Sequence, residues 1–185
     1  MRGVARGLGE YWIPRLPFVG TAAARGGAMV GTPENCRHML ENDECVMVFP
    51  EGVRGINKPF RERYRLQRFG QGFLRLALEA RAPIVPVGIV GSEEQQPGLA
   101  NLPRLARLLG MPAFPITPTF PWLGPLGLLP LPVKYRIYFG EPLEFEGDSN
   151  DEDAAIEARV AEVSGAIGAL LARPGAPGAP AEELY

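Results

Sequence analysis

Two short apolar runs with an amphipathic stretch between them constrain this chain more than any other feature. Cys45-Val46-Met47-Val48-Phe49 favours β structure and is stopped by Pro50, and Pro83 to Val90 (PIVPVGIV) is a second run, stopped by Gly91. Both have the character of buried parallel strands. Between them, Gln71 to Ala82 places Phe73, Leu74, Ala77, Leu78 and Ala80 largely along one side, with Arg75, Glu79 and Arg81 elsewhere, as in an amphipathic helix. Strand, helix, strand predicts a βαβ unit with a right-handed crossover. The 185 residues and 46% hydrophobic content suit one α/β domain with a core of its own.

Further along, Tyr135-Arg136-Ile137-Tyr138-Phe139 reads as a strand ended by Gly140, and the alanine-rich stretch from Ala154 to Leu171 reads as a helix. Arg173 to Pro180 (RPGAPGAP) opens a disordered tail over 173–185. Leu108 to Val133 has no charged residue over 26 positions, long enough to span a bilayer as a helix. The prolines at 112, 115, 118, 121, 125, 130 and 132 forbid a regular helix there. Two readings remain: an irregular surface packed on the core, or one resting in a membrane interface with Trp122 at headgroup depth.

The formal net charge of -2 hides an asymmetry. Arg54 to Arg81 holds eight basic residues against Glu62 and Glu79, whereas Glu141 to Glu157 holds eight acids and no base. The middle of the chain suits phosphates and the later part does not. Nucleic-acid binding is not expected, because the net charge is negative and no aromatic residues alternate with the basic ones at a stacking spacing. Cys36 and Cys45 suggest neither a zinc site nor a disulfide framework, so reduced thiols and no metal are expected. MRGVARGLGE has no apolar run behind its basic residues and does not read as a secretory signal.

The stretch FPEGVRG, Phe49 to Gly55, carries the residues best suited to chemistry. A carboxylate at the mouth of a parallel strand is where α/β folds bind ligands, and Glu51 falls there. Gly52 lets backbone approach a ligand, and Arg54 offers a planar donor fork suited to phosphate or carboxylate. The simpler alternative is that Glu51 and Arg54 only pair across a turn. Gly70-Gln71-Gly72 reads as a helix start rather than a dinucleotide fingerprint. Glu93 and Glu94 read as solvated loop carboxylates.

Phe49-Pro50-Glu51-Gly52-Val53-Arg54 resembles the third motif of the glycerolipid acyltransferases, and Ile84-Val85-Pro86-Val87 is similar to their fourth, at about the family's distance. A second-motif region would lie around Gly26 to Thr32, preceded by Leu16-Pro17-Phe18-Val19-Gly20, although its usual ending reads MVGT here. The resemblance covers roughly Trp12 to Pro142. It implies a mostly parallel sheet flanked by helices, and transfer of a fatty acyl group from acyl-CoA or acyl carrier protein to a hydroxyl of a lysophospholipid or other glycerolipid. No cofactor beyond the thioester is implied. Phe49, Pro50, Glu51, Gly52 and Arg54 would line the acceptor's polar end, and Pro86 would shape the wall. The protein would work peripherally, on the cytoplasmic side of a membrane. There the basic stretch from Lys58 to Arg68 would attract thioester phosphates or anionic headgroups by about 1 kcal/mol per basic residue, or would be a solvated loop.

The family's first motif, an HX4D whose His is the general base and whose Asp orients it, should precede the second motif. No His stands before Gly26. His38 and Asp43 form a literal HX4D, but they follow the second-motif region, and five positions on a helix separate two side chains by about 140°. The pair is therefore read as a decoy. The expectation is an acyltransferase-like domain over 1–172, N-terminally incomplete and weak or inactive as a catalyst. A non-catalytic lipid-binding protein on the same scaffold and an unrelated phosphate-binding α/β enzyme are the alternatives.

Overall fold

A computed structural model describes residues 5–9, 19–56, 58–108 and 114–172. Trp12, Leu16-Pro17-Phe18 and the expected tail over 173–185 lie outside the described residues. In chain order the elements are β1 (Arg6–Gly9), α1 (Val19–Arg25), β2 (Met29–Val30), α2 (Pro33–Glu41), β3 (Val46–Met47), α3 (Val53–Ile56), a 3-10 turn (Phe60–Glu62) and α4 (Gly72–Ala80). There follow β4 (Val87–Val90), β5 (Ala100–Asn101), α5 (Pro103–Leu108), β6 (Pro115–Ile116), a second 3-10 turn (Gly124–Leu128), β7 (Arg136–Phe139) and α6 (Asp153–Leu171). The fold is α/β, with a small parallel sheet flanked by helices.

The residues divide into two compact units, one of Met1–Pro50, Gly70–Ile84 and Glu144–Val160, the other of Glu51–Phe69, Val85–Leu143 and Ala161–Tyr185. In the first unit β1 is central: Leu8 and Gly9 pair with Met29 and Val30 of β2, and Arg6 and Gly7 with Val46 and Met47 of β3, all in parallel. Thr32 starts α2, its hydroxyl accepting the Asn35 N–H at 3.2 Å, with Pro33 in the first turn, where its missing N–H costs nothing. The expected helix between the apolar runs is α4, and it ends where Arg81 turns left-handed at φ +51. Helix α2 packs on α4, burying Cys36 and Met39 of one and Leu74 and Leu78 of the other. Burial in that contact pushes the Cys36 thiol pKa up.

A polar clamp closes this unit. Arg75 of α4 donates to the carbonyls of Ser149 and Asp151 and, at 2.7 Å, to Asp153 at the start of α6. Arg159 donates at 2.9 Å to Asp151, a bond that holds the Asp151 carboxyl below its ordinary pKa. The acidic run after Glu141 is thus in part a set of partners for these two arginines. At the surface Arg37 grips Glu79 through two bonds of 2.8 and 3.1 Å, which likewise lower the Glu79 pKa.

The second unit departs from the expectation of two parallel strands in one βαβ unit. β4 runs antiparallel to β7, with Val87 opposite Phe139 and Val90 opposite Arg136, and it shares no sheet with β3. The reason is visible in its burial: β4 alternates half-buried and buried positions, as a strand with one covered face does. Leu170 of α6 covers that face so closely that a Cβ on Gly88 would stand 3.0 Å from the Leu170 Cβ. Gly91, at φ +100, ends β4 where a Cβ would strike the Lys134 carbonyl oxygen. β5 and β6 form a second antiparallel pair.

Leu74 has no exposed surface, so Leu74→Ala should lose about 2–5 kcal/mol in urea unfolding. Gly91→Ala, which combines left-handed strain with a backbone clash, should lower the melting temperature, whereas Ala at the open Gly72 should not.

Candidate functional site

The FPEGVRG stretch begins where β3 ends. Phe49 is exposed, and the Pro50 carbonyl accepts the Gly70 N–H at 2.9 Å, which fixes the chain before α4. Glu51 opens the second unit. Gly52 turns the backbone at φ +55, and the Gly55 N–H returns to its carbonyl at 3.2 Å to form the single turn of α3. This fold-back brings the Glu51 carboxylate over Gly55, where a Cβ would lie 2.5 Å from Oε2. Only glycine leaves room for the carboxylate.

From there Glu51 Oε1 accepts the Gln67 N–H at 3.1 Å, and Arg54 Nη1 reaches the Arg68 carbonyl at 3.4 Å. Glu51 and Arg54 do not pair with each other; both attach to the backbone of the basic loop. For Arg54 this is one long bond from an exposed guanidinium with five donors, so among the described residues most of its fork remains free for an anion. Glu51 instead spends a carboxylate oxygen on positioning the loop.

The other end of the loop is held more firmly. The Lys58 ammonium, nearly buried, lies 2.6 Å from Glu93 and donates to the Arg65 carbonyl at 2.8 Å. The second Glu93 oxygen accepts the Tyr64 N–H at 2.6 Å, and the Tyr64 hydroxyl donates to Glu94. Tyr64 is bent to φ +63, a cost that these bonds offset. The expectation of solvated carboxylates at 93 and 94 is thereby corrected: Glu94 even keeps one buried oxygen without a protein partner among the described residues. Lys58 is consumed inside the lock, whereas Arg61, Arg63 and Arg65 stay exposed, Arg63 lying over the Phe60 ring at 4.7 Å.

The remaining sequence-predicted residues are Pro86, His38 and Asp43. Pro86 is buried in the second unit, its carbonyl accepting the Gly140 N–H at 2.9 Å and its ring facing Gly140. His38 is exposed in the last turn of α2. Its carbonyl takes the Asn42 side-chain amide at 2.7 Å, and its ring Nδ1 is 3.5 Å from the same nitrogen. Asp43, at φ +56, has already left the helix and makes no hydrogen bond to His38. Sequence reasoning missed Gln67, Tyr64 and the Lys58–Glu93 pair. Nothing in the spacing of those residues marks a backbone amide as a carboxylate's partner.

Residues 1–90 match the family described as acyltransferase. This match supports an assignment to the acyltransferase family. An uncharacterized protein of Mycobacterium tuberculosis is 52% identical over 129 residues, which cover 69% of this chain and 36% of the relative. One from Mycobacterium leprae is 52% identical over 129 residues, 69% and 35% of the two chains. A chicken (Gallus gallus) protein named "DGAT1/2-independent enzyme synthesizing storage lipids" is 25% identical over 156 residues, covering 83% of this chain and 44% of that one. The chain spans about a third of the length of the mycobacterial relatives. No solved structure matches it. The acyltransferase match takes in the Glu51 and Arg54 turn, the basic loop with Lys58 and Tyr64, Pro86 and β4, and ends before Glu93 and Glu94.

Two outcomes test the geometry. Glu51→Ala should speed hydrogen exchange at the Gln67 amide, Gly55→Ala should do the same by displacing the carboxylate, and the double variant should add little to either. The Tyr64 phenol is held above the ordinary tyrosine pKa, by burial first and then by the bond to Glu94 and the nearby acids. A raised folded pKa means that this contribution to stability is complete below about pH 10 and is lost as pH rises through the folded value. In an absorbance titration Tyr64→Phe should remove the tyrosine that ionises last, and Glu94→Gln should bring it down.

Proposed function

We propose that this chain is the acceptor-recognising part of an acyltransferase that moves a fatty acyl group from acyl-CoA or acyl carrier protein to a hydroxyl of a lysophospholipid or other glycerolipid. It would act as a peripheral protein on the cytoplasmic side of a membrane. The observation that carries this reading is the exposed Arg54 fork, set beside a loop of exposed arginines whose two ends are tied down by Glu51 and by the Lys58, Tyr64, Glu93 and Glu94 lock. The acyltransferase match over residues 1–90 and the name of the chicken relative support acyl transfer in lipid synthesis.

In the reaction the acceptor oxygen attacks the thioester carbonyl carbon. A C–O bond forms, the C–S bond breaks, and the hydroxyl proton passes to a base that returns it to the departing thiolate sulfur. Arg54 acts on the acceptor's anionic group, where a guanidinium makes two charge-assisted bonds that an ammonium cannot match. Glu51 is a positioning residue that keeps the loop beside Arg54. His38 is not assigned as the base, since its ring faces Asn42 and Asp43 does not orient it.

Binding separates this reading from its rivals. Arg54→Ala should weaken a monoacylglycerol phosphate by about tenfold, or about 1.4 kcal/mol, and leave the uncharged monoacylglycerol unaffected. Equal loss for both lipids, or none, overturns the assignment of Arg54. Thiol release from acyl-CoA on adding the lysolipid tests transfer itself; lipid binding without release would favour a non-catalytic lipid-binding protein on this scaffold.

A further inference from the structure

The second unit displays a cluster of large apolar side chains that its own fold leaves uncovered. Trp122 is 77% exposed, Leu126 70%, Leu129 62% and Leu123 59%. They are not loose. The turn that bears them is closed from within: buried Thr117 accepts the Phe120 N–H at 2.9 Å, the Leu123 N–H reaches the Thr119 carbonyl at 2.9 Å, and the Thr119 hydroxyl donates to the Gly127 carbonyl at 2.9 Å. Phe114 packs on Phe120 underneath, their ring centroids 5.1 Å apart. The Leu131 N–H is tied to the Gln95 carbonyl at 2.9 Å. Gly127 is so enclosed that a Cβ would strike the Thr119 carbonyl oxygen. A set frame therefore holds the four side chains out, and of the two readings of this stretch, packing on the core does not describe them.

The charge pattern around the cluster selects its occupant. From Gln95 to Gly140 there is no acidic residue, and the charges present are Arg104 and Arg107 before the turn and Lys134 and Arg136 after it, all exposed. An apolar projection whose sequence neighbours are cationic, with an amphipathic indole at its tip, matches an anionic bilayer surface: side chains enter the acyl boundary while cations stay at the phosphates. Among the described residues no helix is long and apolar enough to cross a membrane. We propose that Trp122, Leu123, Leu126 and Leu129 form a shallow insertion wedge for an anionic lipid surface, with the exposed Arg104, Arg107, Lys134 and Arg136 that flank it in sequence supplying the attraction to phosphates. This names the surface behind the membrane-bound part of the proposed function, and it does not depend on acyl transfer taking place.

The test uses vesicles of phosphatidylcholine with and without phosphatidylglycerol, and no substrate. The chain has two tryptophans, so the Trp122 signal is the emission lost in Trp122→Phe. That component should shift to the blue on anionic vesicles and be quenched by lipids brominated on the acyl chain. Leu126→Glu with Leu129→Glu, at exposed positions, should keep the parent's circular dichroism and melting temperature while reducing vesicle co-sedimentation by about tenfold or more. Lys134→Ala with Arg136→Ala should reduce the preference for phosphatidylglycerol. Parent-level sedimentation of the double glutamate variant, or an unquenched Trp122, overturns the proposal. So does sedimentation-velocity self-association that the glutamates abolish without vesicle binding, which would make a second copy the occupant. Acyl transfer to detergent-dispersed lysolipid is read separately. Its failure would count against the proposed reaction and leave the wedge standing.

Discussion

The candidate site depends on one carboxylate turned back onto its own chain. Glu51 sits between Gly52, whose positive φ reverses the backbone, and Gly55, whose missing Cβ leaves space for the carboxylate. With both conditions met, its oxygen reaches the Gln67 amide and the loop that returns from Lys58 has a fixed second end. A carboxylate accepting a backbone N–H makes a stronger bond than a neutral acceptor, and a backbone partner fixes where the whole segment runs rather than one side chain. The spacing Glu51, Gly52, Arg54, Gly55 thus has a mechanical meaning besides a chemical one. The glycines create the turn, the carboxylate holds the loop, and the arginine is left facing outward.

The same division of labour separates the charges of the second unit. Lys58 is removed from water, and burial of an ammonium is tolerable only with good partners, which Glu93 and the Arg65 carbonyl supply. Arg61, Arg63 and Arg65, between the two anchors, have no comparable ion-pair partners among the described residues: Arg61 lies 3.6 Å from its neighbour Glu62, a loose exposed pair that contributes little. Charges that determine structure are buried and paired, while charges available to a ligand are exposed. In the first unit Arg75 and Arg159 belong to the structural kind, absorbed by the carbonyls and carboxylates around the start of α6. A count of basic residues from Arg54 to Arg81 therefore overstates the field offered to a ligand, because Lys58 and Arg75 are already engaged.

Local periodicity was legible in the sequence to the extent that one face of an element is buried. The helix between the apolar runs and the alanine-rich helix appear near their expected positions as α4 and α6, because Leu74 and Leu78, or Ile156, Val160, Val163 and Leu170, repeat at helical spacing, whereas the strand ended by Gly140 appears as β7 although its side chains are mostly exposed. Partner choice was not legible. An apolar run such as Pro83 to Val90 looks the same whether its neighbour is parallel or antiparallel, and the pairing with β7 depends on a segment almost fifty positions later. The FPEGVRG turn could be located from its residue types. Its principal hydrogen bonds could not, since they end on the main chain at Gln67 and Arg68, and a main-chain group leaves no mark on residue identity.

Prolines carry the corresponding lesson for the charge-free stretch. They rule out a helix by removing amide donors, and that argument excludes a span without saying what the stretch becomes. What it becomes is decided by Thr117, Thr119 and Gly127, three small residues whose hydroxyls and missing Cβ let the chain bond to itself across a few positions. A segment that satisfies its polar groups locally needs no cover from the core, so its leucines and Trp122 are free to point away from it. Exposed apolar surface is then a consequence of a well-bonded turn rather than of a poorly packed one. Its cationic sequence neighbours distinguish it from the scattered exposed leucines that any folded chain carries.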